Sequence, residues 1–313
     1  MAGFWRSGTE KRHYRISIPR KTVRRDGKSF LTRKALLKLR VLSALLIVPP
    51  VLAAVWLGGW AYALLLAFIG GVIGYEVSSM ASIHSKPRAG VMILIGAAIP
   101  LVSMLVGFPA AFFAAVFGTI IWSLLVSFSV SDFNDRIGFF ALSLLSFAAL
   151  LSLILLRSPA FGGTVAVVYL IAVIAGTDTG AYFAGRSIGG PKLAPAISPN
   201  KTWAGLIGGT IAAGLVGLLF FFTPALGGKD IAVLDVFGRE AAAAFAVSCL
   251  IAPLAQSGDL MESWIKRRRG VKDSGNLIPG HGGILDRVDG YLTAAPAIAL
   301  IAIMHKGGAV VWP

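Results

Sequence analysis

Residues 41–75, VLSALLIVPPVLAAVWLGGWAYALLLAFIGGVIGY, run for 35 positions without a charged side chain. A hydrocarbon core of about 30 Å, crossed at about 1.5 Å per helical residue, needs about 20 apolar residues, so this stretch is too long for one crossing and long enough for two. Gly58-Gly59 marks the fold between them, with Trp56 and Trp60 at interface depth. The 43 charge-free residues 89–131 divide in the same way at Gly107-Phe108-Pro109. Single apolar tracts follow at 137–156, 162–183, 202–222, 241–258 and 286–304. The pattern predicts an all-α, polytopic helical membrane protein with about nine transmembrane helices and a cytoplasmic N-terminus.

Composition agrees, with 56% hydrophobic and 14% charged residues. The net charge of +15 would suggest nucleic acid if it were spread over the chain, but residues 1–40 hold 13 Lys or Arg against 2 acids, leaving 16 against 12 elsewhere. The excess is a basic cytoplasmic tail, 1–40, that sets topology and faces lipid headgroups; the transmembrane domain is 41–313, and nucleic-acid binding is not expected. No apolar stretch with a small-residue cleavage site precedes the tail, so no removable signal peptide is expected. Cys249 is the only cysteine, which excludes an intrachain disulfide and thiolate metal sites. No internal repeat is visible.

With nine crossings and the tail inside, the segments 81–88, 130–136, 184–201 and 258–287 fall on the cytoplasmic side. Together with the tail they carry 25 of the 29 Lys and Arg, while Arg157, Lys229, Arg239 and Lys306 fall opposite. That asymmetry is the positive-inside pattern.

Two of these segments, 184–201 and 258–287, hold the candidate chemistry. The first is rich in Gly and Pro and is expected to be a loop that returns to helix near Thr202. Its glycines let backbone N–H groups approach phosphate, Arg186 offers a planar fork, Lys192 and Lys201 offer point charges, and the new helix presents free N–H groups. Asp178 stands at the end of the preceding apolar span, where a carboxylate is costly unless paired or facing water; it is either a structural partner for a base or a cation or nucleotide ligand.

In the second segment Asp259, Glu262, Ser263 and Lys266 stand at i, i+3, i+4 and i+7, so a continuing helix would put them on one face pointing into the bundle. Five Lys or Arg lie between Lys266 and Lys272, and a Pro-Gly-His-Gly-Gly turn at 279–283 leads to Asp286 and Asp289 on the first turn of the last span. Bases beside carboxylates suit a polyphosphate with its divalent cation. Asp286 and Asp289 either cap the helix or join Asp259 in holding Mg2+ on one or two oxygens, with phosphate and water completing the octahedron. Lone His281 reads as a turn or hydrogen-bonding residue rather than a metal ligand.

These residues resemble a known family. Ser263-x-Ile265-Lys266-Arg267, then Lys272-Asp273, His281-Gly282-Gly283 and Asp286-Arg287-x-Asp289 are similar to the C-terminal hallmark of the CDP-diacylglycerol synthases, or phosphatidate cytidylyltransferases. Ser198-Pro199-Asn200-Lys201-Thr202 and the Asp178, Tyr182, Gly185-Arg186 group resemble the same family. The likeness runs from about the second span to the C-terminus, with specific motifs confined to 176–209 and 256–290. Ala204 departs from it, standing where many members have an acidic or polar residue, and the basic tail lies outside the shared motifs.

The resemblance implies an integral membrane enzyme that converts phosphatidic acid and CTP to CDP-diacylglycerol and pyrophosphate for phospholipid biosynthesis; the compact chain without an organelle-type presequence points to a bacterial plasma (inner) membrane, and the charge asymmetry to an active site facing the cytoplasm. It implies Mg2+ and allows a second, monovalent cation and a homodimer. Asp259, Asp286 and Asp289 would handle the cations, and Ser263 and Lys266 would contact phosphate. Asp178, Arg186, Lys192, Ser198, Lys201, Arg267, Lys272, His281, Gly282 and Gly283 complete the expected substrate-binding set. Arg268, which the motif leaves variable, is expected to matter far less. The competing readings are a membrane transferase for another lipid acceptor and an ion-coupled transporter. Intramembrane carboxylates also mark ion pathways, but here, Glu76 near the end of the second span apart, they cluster at helix ends beside basic loops.

Overall fold

The computed structural model describes residues 33–223, 239–277 and 282–304, with side chains from residue 45 onward except that of residue 239. Most of the basic tail, together with Lys229, His281 and Lys306, lies outside the described residues. The order of elements is α1 (Arg33–Leu57), α2 (Gly59–Met80), α3 (Lys86–Leu105), α4 (Phe108–Ser127), α5 (Phe133–Arg157), a 3-10 turn (Pro159–Phe161), α6 (Gly163–Ser187), β1 (Lys192–Ala194), β2 (Ser198–Thr202), α7 (Trp203–Phe222), α8 (Arg239–Arg268), α9 (Leu285–Val288) and α10 (Tyr291–Met304).

The first charge-free run breaks where its glycines stand. Gly58 and Gly59 take positive φ of 65° and 49°, which ends α1 and starts α2 at once. The Arg157 guanidinium, from the end of α5, donates to the carbonyls of Val55 (2.8 Å) and Trp56 (3.1 Å), satisfying the exposed end of α1. The second run breaks at Gly107, with Pro109 in the first turn of α4.

Seven helices, α2 to α8, are long and apolar enough to cross a membrane. Among the described residues, length and composition thus support seven crossings and do not confirm the expected nine: Leu45–Leu57 and Tyr291–Met304 are apolar but shorter. The tract expected to cross from Asp286 is divided into the four-residue α9 and the 14-residue α10. With lipid as solvent, helices associate by close packing, and small residues supply it. A Cβ at Gly70 would strike the Gly96 carbonyl of α3, and a Cβ at Gly208 would strike Ala184 of α6. Some buried polar groups are paired across helices, as in Tyr169 Oη and Ser248 Oγ, 2.6 Å apart between α6 and α8, and others, such as Ser143 and Thr177, donate to carbonyls of their own helix.

Two expected loops are more ordered than their composition suggests. α6 continues to Ser187, and 192–202 form a two-stranded antiparallel hairpin with Lys192 opposite Thr202. Pro191, Pro195 and Pro199 conceal it in the sequence, but strands with no further neighbour tolerate proline. In the segment 258–287, α8 runs on to Arg268 and closes with a Schellman motif: Val271 N–H donates to Lys266 O (3.0 Å), Gly270 N–H to Arg267 O (3.2 Å), and Gly270 has φ 70°.

The end of α8 is clamped to its neighbours. Arg268 pairs with Asp132 (2.6 Å) and with Asp135 at the start of α5, and Arg269 pairs with Asp135 (3.3 Å) while donating to the Met80 carbonyl of α2 (2.9 Å). Asp132 also caps α5, accepting from Asp135 N–H (3.0 Å). Arg268, set aside in the motif reading, thus joins α8 to α5 at the edge of the site.

Candidate active site at the polar end of α6, α7 and α8

Because α8 stays helical beyond Gly258, Asp259, Glu262, Ser263 and Lys266 do share one face. That face is inside the bundle: Glu262 is fully buried, and Ser263 and Lys266 are nearly so. Lys266 Nζ lies between two carboxylates, 2.8 Å from Glu262 Oε2 and 2.5 Å from Asp286 Oδ1. Ser263 Oγ donates to Asp259 Oδ1 (3.2 Å), and Asp259 Oδ2 pairs with Lys201 Nζ on β2 (2.6 Å). The Ser-Pro-Asn-Lys-Thr strand and the α8 face, which are separate in sequence, therefore form one site. Thr202 Oγ1 caps α7 by accepting from Gly205 N–H (3.0 Å), placing this helix start beside Lys201 as the sequence predicts.

Asp286 and Asp289 go to different neighbours. Asp286 accepts from Ser274 N–H (3.0 Å) and Gly283 N–H (2.8 Å) as well as from Lys266. Burial pushes its carboxyl up, but the Lys266 hydrogen bond, the Gly283 and Ser274 N–H groups and the Lys266 charge outweigh it and hold the group below the ordinary carboxylate range. Asp289 accepts from Gly290 N–H (2.7 Å). Burial and then the charge of Asp259 push it up to about 7, with Asp178 adding to the repulsion. Asp178 lines one cavity with Lys201, Lys201 pairs with Asp259, and the Asp289 backbone packs against Gly258, so the three segments meet.

That meeting depends on one close approach. A Cβ on Gly258 would overlap the Asp289 carbonyl and Thr293 Oγ1, whose hydroxyl donates to Leu254 O (2.5 Å). Gly258→Ala is expected to push the α9–α10 segment off α8 at a cost of about 1–3 kcal/mol of overpacking, lowering the melting temperature in detergent by several degrees by circular dichroism.

Glu76 of α2 was passed over as a polar exception near a span end, yet it is fully buried. Its carboxylate accepts from Ser274 Oγ, Ile284 N–H and Leu285 N–H, each at 2.8 Å. A Cβ on Gly283 would overlap both Ser274 Oγ and this carboxylate, which explains glycine at 283; Gly282 needs its own freedom at φ 81°. An ionisable residue inside an apolar run was the available signal. Both glycines, expected among phosphate contacts, are engaged in this packing.

The remaining expected residues lie at the periphery. Arg186 is exposed and donates to Tyr182 Oη (3.0 Å). Arg267 donates to Ile197 O of the hairpin turn (3.2 Å) and Val271 O (3.1 Å). Lys192 and Lys272 are exposed, and Ser198 is half-buried on β2.

Among the described residues, no three acidic, His or Cys side chains are gathered closely enough to form a ready metal cluster. Mg2+ needs less than that, taking one or two carboxylates and leaving other positions to water and substrate oxygens. Asp259 and Asp289 fit that requirement by chemistry, being half-buried carboxylates, with the Asp289 backbone packed against Gly258 next to Asp259. Asp286, with both oxygens accepting from Lys266, Ser274 and Gly283, is placed to hold the loop.

The family model described as "Cytidylyltransferase family" matches residues 38–305. Proteins named phosphatidate cytidylyltransferase are similar over shorter stretches. One from Brucella suis biovar 1 (strain 1330) is 50% identical over 151 residues, 48% of this chain and 51% of the relative. One from Rickettsia felis is 42% identical over 132 residues, 42% and 56% of the two chains, and one from Rickettsia prowazekii is 39% identical over 153 residues, 49% and 65%. The chain spans about half to two thirds of the length of these curated relatives. With a family match running from α1 to the end of the described residues, across both site motifs, the chain belongs to the cytidylyltransferase family.

Proposed function

We propose that the protein transfers CMP from CTP to phosphatidic acid, giving CDP-diacylglycerol and pyrophosphate, in a bacterial inner membrane with the site on the cytoplasmic face. The observation that carries this reading is the meeting of three separate segments at one polar end of an apolar bundle, where Lys201 pairs with Asp259 and the Asp289 backbone packs against the adjacent Gly258. The names of the similar Brucella and Rickettsia proteins support it, and the positive-inside asymmetry supports the orientation.

A phosphatidate oxygen, already anionic at neutral pH, attacks the α-phosphorus of CTP. A P–O bond forms there as the bond to the bridging oxygen of the β-phosphate breaks, and pyrophosphate leaves with that electron pair. No strong base is needed; the barrier is the approach of two anions, so charge neutralisation and in-line positioning dominate. Arg186, Lys192, Arg267 and Lys272 supply positive charge at the mouth, Lys201 holds Asp259, and Lys266 fixes the carboxylates around it. Mg2+, held by Asp259 and Asp289, would supply further neutralisation of the phosphates.

The test uses purified protein in detergent–lipid micelles with phosphatidic acid, radiolabelled CTP and Mg2+, followed by lipid extraction. Label is expected in the organic phase, lost with EDTA and absent when diacylglycerol replaces phosphatidic acid. A folded preparation that labels no lipid would overturn the proposal and direct attention to other lipid acceptors, then to transport.

A further inference from the structure

Between α6, β2, α7 and α8 lies a cavity of about 180 Å3, lined by residues that include Asp178, Tyr182, Asn200, Lys201 and Gln256. Gln256 is 7% exposed, and its Nε2 makes no hydrogen bond within the described residues. A buried amide donor without an acceptor is uncommon in a native protein and calls for an explanation. Gly209 makes room for the amide, since a Cβ there would lie 3.2 Å from Nε2.

The chemistry of the walls narrows what could enter. Lys201 is already paired with Asp259, and Asp178 adds negative charge, so the cavity is poorly suited to a phosphate. A lipid ester offers only acceptors and would leave Asp178 without a donor. An acyl chain would bury both polar groups against hydrocarbon. A heterocycle with an amino group beside a ring acceptor satisfies both walls at once. The space suffices, since an apolar protein cavity of roughly 150 Å3 accepts benzene. The Tyr182 ring, held by Arg186, lines the same cavity and offers an aromatic face.

We propose that this cavity is the pyrimidine subsite, with Gln256 Nε2 donating to a ring acceptor of cytosine and Asp178 accepting from its exocyclic amino group. The inference rests on the reading of CTP as the nucleotide. It assigns discrimination to the same pair, because uracil would turn a carbonyl oxygen towards the Asp178 carboxylate.

The test is equilibrium binding of labelled CTP to the full chain in detergent, with unlabelled UTP as competitor, alongside turnover with phosphatidic acid. Gln256→Leu is expected to weaken CTP binding and raise its KM roughly tenfold, the worth of one hydrogen bond, with KM for phosphatidic acid unchanged. Gln256→Glu, which keeps the size and removes the donor, should do the same if the leucine variant does not fold, and Asp178→Asn should let UTP compete more effectively. A variant that moves only the phosphatidic acid KM, or neither constant, overturns the proposal, as does failure of the wild-type chain to bind CTP. CTP binding without turnover would instead overturn the proposed reaction, leaving the subsite to be judged by binding alone.

Discussion

Glu76→Ala is expected to leave the helices inserted while abolishing measurable transfer of label from CTP to lipid. Three donors meet this carboxylate, two of them backbone N–H groups at the start of α9 and one the hydroxyl of Ser274. A hydrogen bond to a charged acceptor contributes about 1.5–3 kcal/mol, and removing the acceptor leaves buried donors with no partner. The three bonds are not additive, but losing them together removes what seats Ser274 and the start of α9 on α2. Asp286, Lys266 and Asp289 depend on that seating. Glu76→Gln should be intermediate, since its carbonyl can keep one backbone N–H while the Ser274 hydroxyl turns to accept from its amide. Limited proteolysis in detergent gives the second readout, with cleavage after Ser274 faster in the order wild type, glutamine, alanine. An alanine variant with normal turnover and a normal digestion rate would remove Glu76 from the account of the site.

Much of this arrangement could be read from local pattern. The breaks at Gly58 and Gly107 were visible because glycine and proline interrupt runs that are otherwise uniformly apolar. The polar face of α8 followed from spacing alone, and its burial confirms that the face points inward. Other features depend on partners distant in sequence. Glu76 and Leu285 are separated by 209 positions, and nothing in either neighbourhood announces the pair. The hairpin at 192–202 lacks strand periodicity, since Pro195 and Pro199 interrupt it and its pairing is only two strands wide. The spacing of Asp286 and Asp289 leaves open whether they cap the helix or join Asp259 at a cation, and it does not show that Asp286 turns to Lys266, Ser274 and Gly283, contacts that depend on the fold.

Those contacts make a comparison of Asp286→Asn with Asp289→Asn decisive. Asp286→Asn keeps the shape but places an amide donor among three donors, and breaking a buried ion pair by removing one charge costs about 3–5 kcal/mol. Lys266, left with Glu262 alone, would shift from its place between α8 and the loop, and turnover should fall by roughly 100-fold or more, equivalent to about 2.7 kcal/mol or more in the barrier. If Asp286 acts by positioning, the Mg2+ concentration for half-maximal residual activity stays at the wild-type value and the loop becomes more open to protease. Asp289→Asn should behave in the opposite way, because it relieves the repulsion from Asp259 while removing a proposed ligand: the fold is retained and the Mg2+ requirement rises steeply. Recovery of Asp286→Asn at high Mg2+, with normal protease resistance, would return Asp286 to the metal and make the observed loop contacts secondary.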